Sequence, residues 1–189
     1  MMETSFKKPS APSLVGGVLV AKGEAKVYLD GNVLLAASTL EDKLHDETVE
    51  FLDLVKKADW ELVIGTPILL ELEQLLYLGD MGWFRLRHAL SALPKYEIKI
   101  IEDDHKKVLE LANEYLNERV LSEKYFTNLL VIASATLGDV DYLVSWDSRR
   151  MANKSVVTAV NRVNLNKKLR EIEIVTPKRL SQIIKEEVL

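Results

Sequence analysis

Short apolar runs alternate along this chain with longer stretches in which apolar residues recur at helical spacing. The apolar runs, which we predict to be strands, are residues 27–29, 62–64, 97–101, 141–147 and 171–175. The helical stretches are residues 41–57, 67–77, 83–93, 103–119, 125–136 and 156–168, and a last helix begins at 176–177. Because parallel strands need a crossover helix, this alternation predicts an α/β protein, a three-layer α/β/α sandwich around a mainly parallel sheet.

The domain organisation follows from length and local composition. A chain of 189 residues is long enough for one well-cored domain and short for two. Residues 1–24 carry prolines, small polar residues and the pair Gly16-Gly17, so we predict an N-terminal tail with an edge hairpin around Gly23. Residues 25–189 are predicted to form a single domain.

Composition limits the class of protein. With 48% hydrophobic and 29% charged residues, the chain is expected to be a soluble globule. The absence of cysteine excludes disulfides, thiolate zinc sites and cysteine nucleophiles, and we expect a cytoplasmic protein. We find neither a signal segment nor an apolar stretch long enough to span a membrane. The net charge of −4 argues against a protein that coats nucleic acid indiscriminately.

Two of the predicted strands end on an aspartate, Asp30 and Asp147. The carboxyl ends of parallel strands face one ligand crevice, where two carboxylates repel each other unless a cation lies between them. Glu71, on the helix after the second strand, and Asn128, near the start of the apolar helix, can be placed at the same edge. Hard divalent cations take such oxygen ligands and activate water beside a phosphoryl group. The pattern therefore indicates metal-dependent phosphodiester hydrolysis.

The ordered set of motifs resembles the PIN domain, the compact α/β fold of many metal-dependent ribonucleases, toxin-type proteins among them. The matching segments are residues 27–32, 66–71, 128–136 and 141–147, so the resemblance covers most of the chain. It implies a PIN-like sandwich with an acidic cleft at one edge of the sheet.

The resemblance also implies a set of site residues. The implied catalytic and metal-binding residues are Asp30, Glu71, Asn128 and Asp147. They would hold one or two Mg2+ or Mn2+ ions, and a bound water would attack an RNA phosphodiester. Asn32 and Ser145 would hydrogen-bond the carboxylates and fix their orientation. The implied partners are an RNA substrate, an antitoxin or another protein, and a second copy of the chain in a homodimer.

Asn128 departs from the family pattern, which usually has an aspartate at this position. An amide oxygen can ligate a hard cation but brings no charge, so the site has about three negative charges instead of four. Two functions stay open: a metal-dependent endoribonuclease, and a catalytically weakened PIN-like scaffold that binds RNA or a protein without cutting. A haloacid-dehalogenase-like phosphatase is disfavoured because Tyr28 occupies the place of its nucleophilic aspartate. A Rossmann-like nucleotide site is disfavoured because no glycine-rich loop follows the strand.

The C-terminal part of the chain is basic. Residues 148–180 hold nine cationic side chains against two glutamates. We predict that Arg149, Arg150 and Lys154 bind the RNA backbone, although a run of charge is also typical of a solvated helical face.

Other polar and aromatic residues are assigned structural roles. Asp103 and Asp104 are predicted to open a helix, because the macrodipole favours acids there. The aromatic residues assigned to the core or to a dimer contact are Trp60, Trp83, Phe84 and Trp146.

Overall fold

A computed structural model describes residues 25–187, with side chains over 25–186, and the backbone of residues 13–15 and 18–20. The strands in these ranges are β1 (Ser13–Val15), β2 (Val18–Val20), β3 (Lys26–Leu29), β4 (Glu61–Ile64), β5 (Lys99–Ile100), β6 (Tyr142–Val144) and β7 (Glu173–Val175). The helices are α1 (Gly31–Ser38), α2 (His45–Lys57), α3 (Thr66–Glu73), α4 (Asp80–Lys95), α5 (His105–Asn117), α6 (Phe126–Leu137), α7 (Lys154–Asn166) and α8 (Pro177–Glu187). Short 3-10 turns cover Gln74–Leu78 and Glu123–Tyr125.

One parallel sheet has the strand order β5-β4-β3-β6-β7. From β3 the chain builds outward to β4 and β5, and it then crosses to β6 and β7 on the other side. The carboxyl ends of β3 and β6 thus mark the reversal of strand order, the place where open α/β sheets bind ligands. The register pairs Leu29 with Val144, so the residues that follow these two strands emerge side by side.

The two central strands form the middle of the core. The fully buried residues of β3 and β6 include Val27, Tyr28, Leu29, Leu143 and Val144. Because both faces of these strands are covered, their sequences read as continuous apolar runs rather than as an alternation of apolar and polar residues.

The helices pack in two groups. In one, α1 packs on α2 and α4, and α2 packs on α8; in the other, α5 packs on α6 and α7. The crossovers that lead to β4 and β5 run across the sheet in the opposite direction to those that lead to β6 and β7. Right-handed connections therefore place the two groups on opposite faces. Helix α3 contacts both α1 and α6, so it joins the two layers.

The predicted sandwich is confirmed, but several elements differ from the prediction in their extent, and one helix was not predicted. Helix α1 was missed; it begins at Gly31, directly after Asp30. Strand β6 ends at Val144, so Asp147 lies in the turn that follows rather than at the end of the strand. Pro94 lies inside α4, one residue before its end, because a proline in the last turn removes only one helical hydrogen bond.

A short hairpin precedes the parallel sheet: strand β1 pairs antiparallel with β2. Gly16-Gly17, between the two strands in sequence, is a dipeptide that hairpins favour. Residues 1–12, 16–17, 21–24 and 188–189 lie outside the described residues, and with them Gly23 and the predicted tail. Within the described ranges, no helix combines the length and the apolar character that crossing a membrane requires.

Candidate functional site

Asp30 lies between β3 and α1, where the strand order reverses. It is only 6% exposed, and its backbone N–H donates to the Val144 carbonyl across the sheet at 3.0 Å. Asp30 is the N-cap residue of α1, yet its side chain makes no capping hydrogen bond to that helix. The carboxylate is therefore buried without serving the helix.

Two polar side chains hold one oxygen of this carboxylate. Asn32 Nδ2 donates to Asp30 Oδ2 at 2.7 Å, and Ser145 Oγ donates to the same oxygen at 2.5 Å. Asn32 also donates to Ser145 Oγ at 3.0 Å and accepts from the Trp146 N–H at 3.0 Å. The structure thus brings Asn32 and Ser145 to Asp30, as the orienting role requires. That role in catalysis stays a prediction.

Glu71 reaches the site from α3, and its carboxylate lies against Gly31, the first residue of α1. Burial and the charge of Asp30 raise the pKa of Glu71 to about 7. Burial also raises the pKa of Asp30, and the charge of Asp147 adds to this effect, against the lowering influence of the hydrogen bond from Ser145. The charge of Asp30 thus acts on Glu71, and the charge of Asp147 acts on Asp30.

Asp147 has both carboxylate oxygens engaged by one residue. The Arg150 backbone N–H donates to Oδ1 at 3.0 Å, and Arg150 Nη1 donates to Oδ2 at 3.0 Å. The Asp147 N–H donates to Ser145 Oγ at 3.0 Å, which ties this turn to the hydroxyl that also holds Asp30. The guanidinium of Arg150 lies over the ring of Tyr125, with Cζ 4.6 Å from the ring centroid.

Asn128, the fourth predicted ligand, is less firmly connected. It lies half-buried in the first turn of α6, and its side chain forms no hydrogen bond with another described residue. No hydrogen bond among the described residues therefore joins the Asn128 side chain to the other three. As placed over residues 25–186, the acidic and histidine side chains do not form a group of three that could enclose a metal ion.

A buried polar network under the site was missed by the sequence analysis. Asp103 Oδ1 accepts from Ser134 Oγ at 2.7 Å, and Asp103 Oδ2 accepts from the Thr66 N–H at the start of α3 at 2.5 Å. The Tyr28 hydroxyl lies 3.0 Å from Ser134 Oγ. The prediction that Asp103 opens its own helix is therefore wrong; Asp104 alone caps α5. Nothing in the local sequence distinguishes the two aspartates, because the partners of Asp103 come from distant elements.

The basic stretch does not form one continuous free surface. Three of its cations pair with acids of other elements: Arg162 with Glu118, Lys167 with Glu114, and Arg170 with Asp139 and Asp141. Arg149 and Lys154, predicted to bind RNA, are exposed and form no ion pair within the described residues. They lie in or just beyond the turn after Asp147, so these two exposed cations follow the acidic site closely in sequence.

The donor set suits a hard divalent cation in its chemistry. Asp30, Glu71 and Asp147 offer only oxygen ligands, and hydrogen bonds hold two of these side chains in fixed orientations. Burial raises the pKa of Asp30 and of the partly buried Glu71, so the ionised form of each side chain is disfavoured where it lies. A divalent cation would supply the missing positive charge.

The chain matches no protein-family model, and no curated protein matches its sequence. Among solved structures, it is similar to a chain of VapBC2 from Rickettsia felis, solved bound to a DNA fragment from their promoter. That match has 15% identity, covers 80% of this chain and 98% of the other, and has a TM-score of 0.55.

A second similar structure is that of VapC20 from Mycobacterium tuberculosis, a sarcin–ricin loop cleaving toxin. This match has 14% identity, covers 65% of this chain and 91% of the other, and has a TM-score of 0.50. At these identities the likeness shows a shared fold.

Proposed function

Because the chain has the PIN-like fold of VapC toxins, we propose that it is a metal-dependent endoribonuclease of the toxin type. The observation that carries this proposal is the arrangement of Asp30 and Glu71. The buried Asp30 and the partly buried Glu71 carboxylates, from separate strand–helix units, lie together at the carboxyl edge of the sheet. In the described part of the chain, no cationic side chain beside them balances their charge. Such an arrangement costs stability unless a cation binds there.

The roles of the residues follow from their contacts. Asp30, held by Asn32 and Ser145, would be the central ligand of a bound metal, and Glu71 and Asp147 would be the flanking ligands. A bound Mg2+ or Mn2+ would lower the pKa of a water molecule and neutralise charge on a phosphoryl oxygen. Ser145 fixes both acidic segments at once, because it donates to Asp30 and accepts from the Asp147 N–H.

The RNA substrate is proposed to approach from the turn after Asp147. Arg149 and Lys154 are exposed there, and their charges suit the phosphates on either side of the bond that is cut. Their contribution should depend on ionic strength, because exposed cations act on phosphates by screened electrostatic attraction.

The decisive test is cleavage of a mixed pool of structured and single-stranded RNA, with Mn2+, with Mg2+ and with EDTA. We expect cutting that requires the metal and is lost in Asp30→Asn. Asp139→Asn is the matched control, because Asp139 is exposed and pairs with Arg170 away from the crevice. Equal cutting by wild type and Asp30→Asn would show that the activity does not come from this site.

The alternative function is a PIN-like scaffold that binds RNA or a protein without cutting. Asn128 favours it, because the amide brings no charge to the site and has no hydrogen-bonding partner among the described residues. Retained RNA binding without cleavage in either metal would establish the scaffold. If the enzyme is active, Asn128→Asp should increase cleavage by adding the fourth carboxylate.

A protein partner, of the antitoxin kind, is proposed for an apolar surface on the 3-10 turn and the start of α4. This apolar surface consists of Leu76, Tyr77, Leu78, Met81, Trp83 and Phe84, which are 44% to 85% exposed. Trp83 and Phe84 are therefore not core residues. Met81 and Phe84 also line a cleft of about 550 Å³. Large exposed apolar patches mark interaction sites, and light scattering of the isolated chain will show whether a homodimer covers this one.

A further inference from the structure

We infer that Arg150 is an internal counter-ion of Asp147, which a divalent cation displaces, and that the released guanidinium then binds a phosphate of the RNA. The inference rests on the proposed function, since it assigns a step to the same site. It goes beyond general electrostatic attraction of RNA by the turn after Asp147, because it predicts that one arginine changes the affinity for the metal.

The first support is the geometry of the ion pair. Arg150 uses both its backbone N–H and its side-chain Nη1 on Asp147, each at 3.0 Å and each on a different oxygen. Neither oxygen of Asp147 is thus free of Arg150. A metal ion that takes Asp147 as a ligand has to compete with the guanidinium for at least Oδ2.

The second support is the position of the guanidinium. It lies between the Asp147 carboxylate and the face of Tyr125, the residue just before α6, at 4.6 Å from the ring centroid. An aromatic face attracts a cation, so Tyr125 can hold the guanidinium beside the site after Asp147 has released it. The Arg150 side chain is 48% exposed, which leaves it accessible to a phosphate from solvent.

The third support is the relative strength of the two interactions. Ion pairs with an exposed arginine contribute little stability, because solvent screens them and holding two side chains in one geometry costs entropy. A divalent cation carries twice the charge of the guanidinium, and the negative charges of Asp30 and Glu71 attract it in addition to that of Asp147. The ion pair is therefore strong enough to lower metal affinity measurably but too weak to prevent binding.

The test is calorimetric titration of Mn2+ into the purified protein, which reports metal affinity without any RNA. Arg150→Gln should bind Mn2+ about three- to fivefold more tightly than wild type, since the competing ion pair is removed. Arg149→Gln is the matched control, because it removes the same charge from the adjacent exposed position, where no ion pair exists within the described residues. Its Mn2+ affinity should stay within about twofold of wild type, as screening weakens unpaired surface charges.

The outcomes separate this inference from the proposed function. If wild type binds Mn2+ and Arg150→Gln binds it no more tightly than Arg149→Gln does, the counter-ion role is wrong while the metal site stands. If Mn2+ binds neither wild type nor Arg150→Gln, both the inference and the metal site are wrong.

The phosphate contact has its own readout in steady-state cleavage at saturating Mn2+. Arg150→Gln should raise the KM for RNA several-fold and change kcat little, and Arg150→Lys should restore part of the loss because it keeps the charge. An unchanged KM in Arg150→Gln would overturn the phosphate-binding half of the inference.

Discussion

The carboxylate of Glu71 lies directly over Gly31: a Cβ built on Gly31 would stand 2.8 Å from Glu71 Oε2. Gly31 immediately follows Asp30, so the missing side chain lets a carboxylate from α3 approach the carboxylate at the end of β3. Real Cβ atoms do not come so close to another heavy atom. The glycine is therefore required here by the position of Glu71, not by an unusual backbone angle.

We predict that Gly31→Ala weakens the metal site without destabilising the fold. The added methyl group meets only the flexible end of Glu71, so the carboxylate moves and the backbone does not. Alanine is also the better helix former by up to about 1 kcal/mol. Mn2+ affinity and cleavage should fall about tenfold or more, while the midpoint of urea unfolding in EDTA stays the same or rises.

A control for this variant is available within the same site. In Glu71→Ala the carboxylate is absent, so adding Gly31→Ala to it should cost no further metal affinity. Fully additive losses in the double variant would mean that the methyl group acts on something other than Glu71.

The free energy of unfolding of the metal-free protein should fall as the pH rises from about 4.5 to about 7. The pKa of Glu71 is raised from 4.5 to about 7 in the folded state. Between these values the unfolded chain has lost the proton and the folded protein keeps it, so stability decreases with rising pH. Below pH 4.5 both states are protonated, and above pH 7 the loss is complete.

Urea unfolding of wild type and Glu71→Gln in EDTA at pH 5 and pH 8 checks this prediction. The glutamine variant should not lose stability in this way. Its free energy of unfolding minus that of wild type should be about 1 to 3 kcal/mol larger at pH 8 than at pH 5. Comparing the two proteins cancels the contributions of the other carboxylates. A pH-independent difference between them would contradict the raised pKa.

Asp103 and Asp104 should respond differently to the same substitution. Asp103 holds the first turn of α3, which carries Glu71, while Asp104 accepts from the Lys107 N–H at 3.2 Å and caps α5. Either change to alanine should lower the stability of the protein, because each removes the acceptor of a backbone N–H in the first turn of a helix. Only Asp103→Ala should also reduce Mn2+ affinity, since only α3 brings a ligand to the site.

Calorimetric Mn2+ titration and urea unfolding of both variants give the comparison. The prediction is wrong if Asp104→Ala loses as much Mn2+ affinity as Asp103→Ala, because the effect would then come from general destabilisation rather than from the position of α3.

The sequence predicted the site unevenly. The sequence placed Asp30 and Glu71 at the same edge of the sheet, where the structure also has them, because each follows a local signal. Asp30 follows a buried apolar run, and Glu71 lies five residues after Thr66, where the Thr-Pro helix begins. The capture of Asp147 by Arg150, the contact of Arg150 with Tyr125 and the attachment of Asp103 to α3 were not foreseen. These three interactions depend on how side chains point within a turn or on contacts between elements far apart in sequence. The periodicity of apolar residues contains neither kind of information.

The sequence by itself determined the alternation of strands and helices from β3 onward, except for α1. It also determined the buried central strands and the edge of the sheet where the acids gather. These follow from the periods of apolar residues and from the rule that parallel crossovers are right-handed, and both are properties of the chain read in order. Only the tertiary structure decided which charges neutralise each other. Arg162, Lys167 and Arg170 are taken up by acids of other elements, whereas Asp30 and Glu71 lie together without a cation among the described residues. Electrostatic pairing depends on distance and burial in three dimensions, and a count of charges along the sequence contains neither.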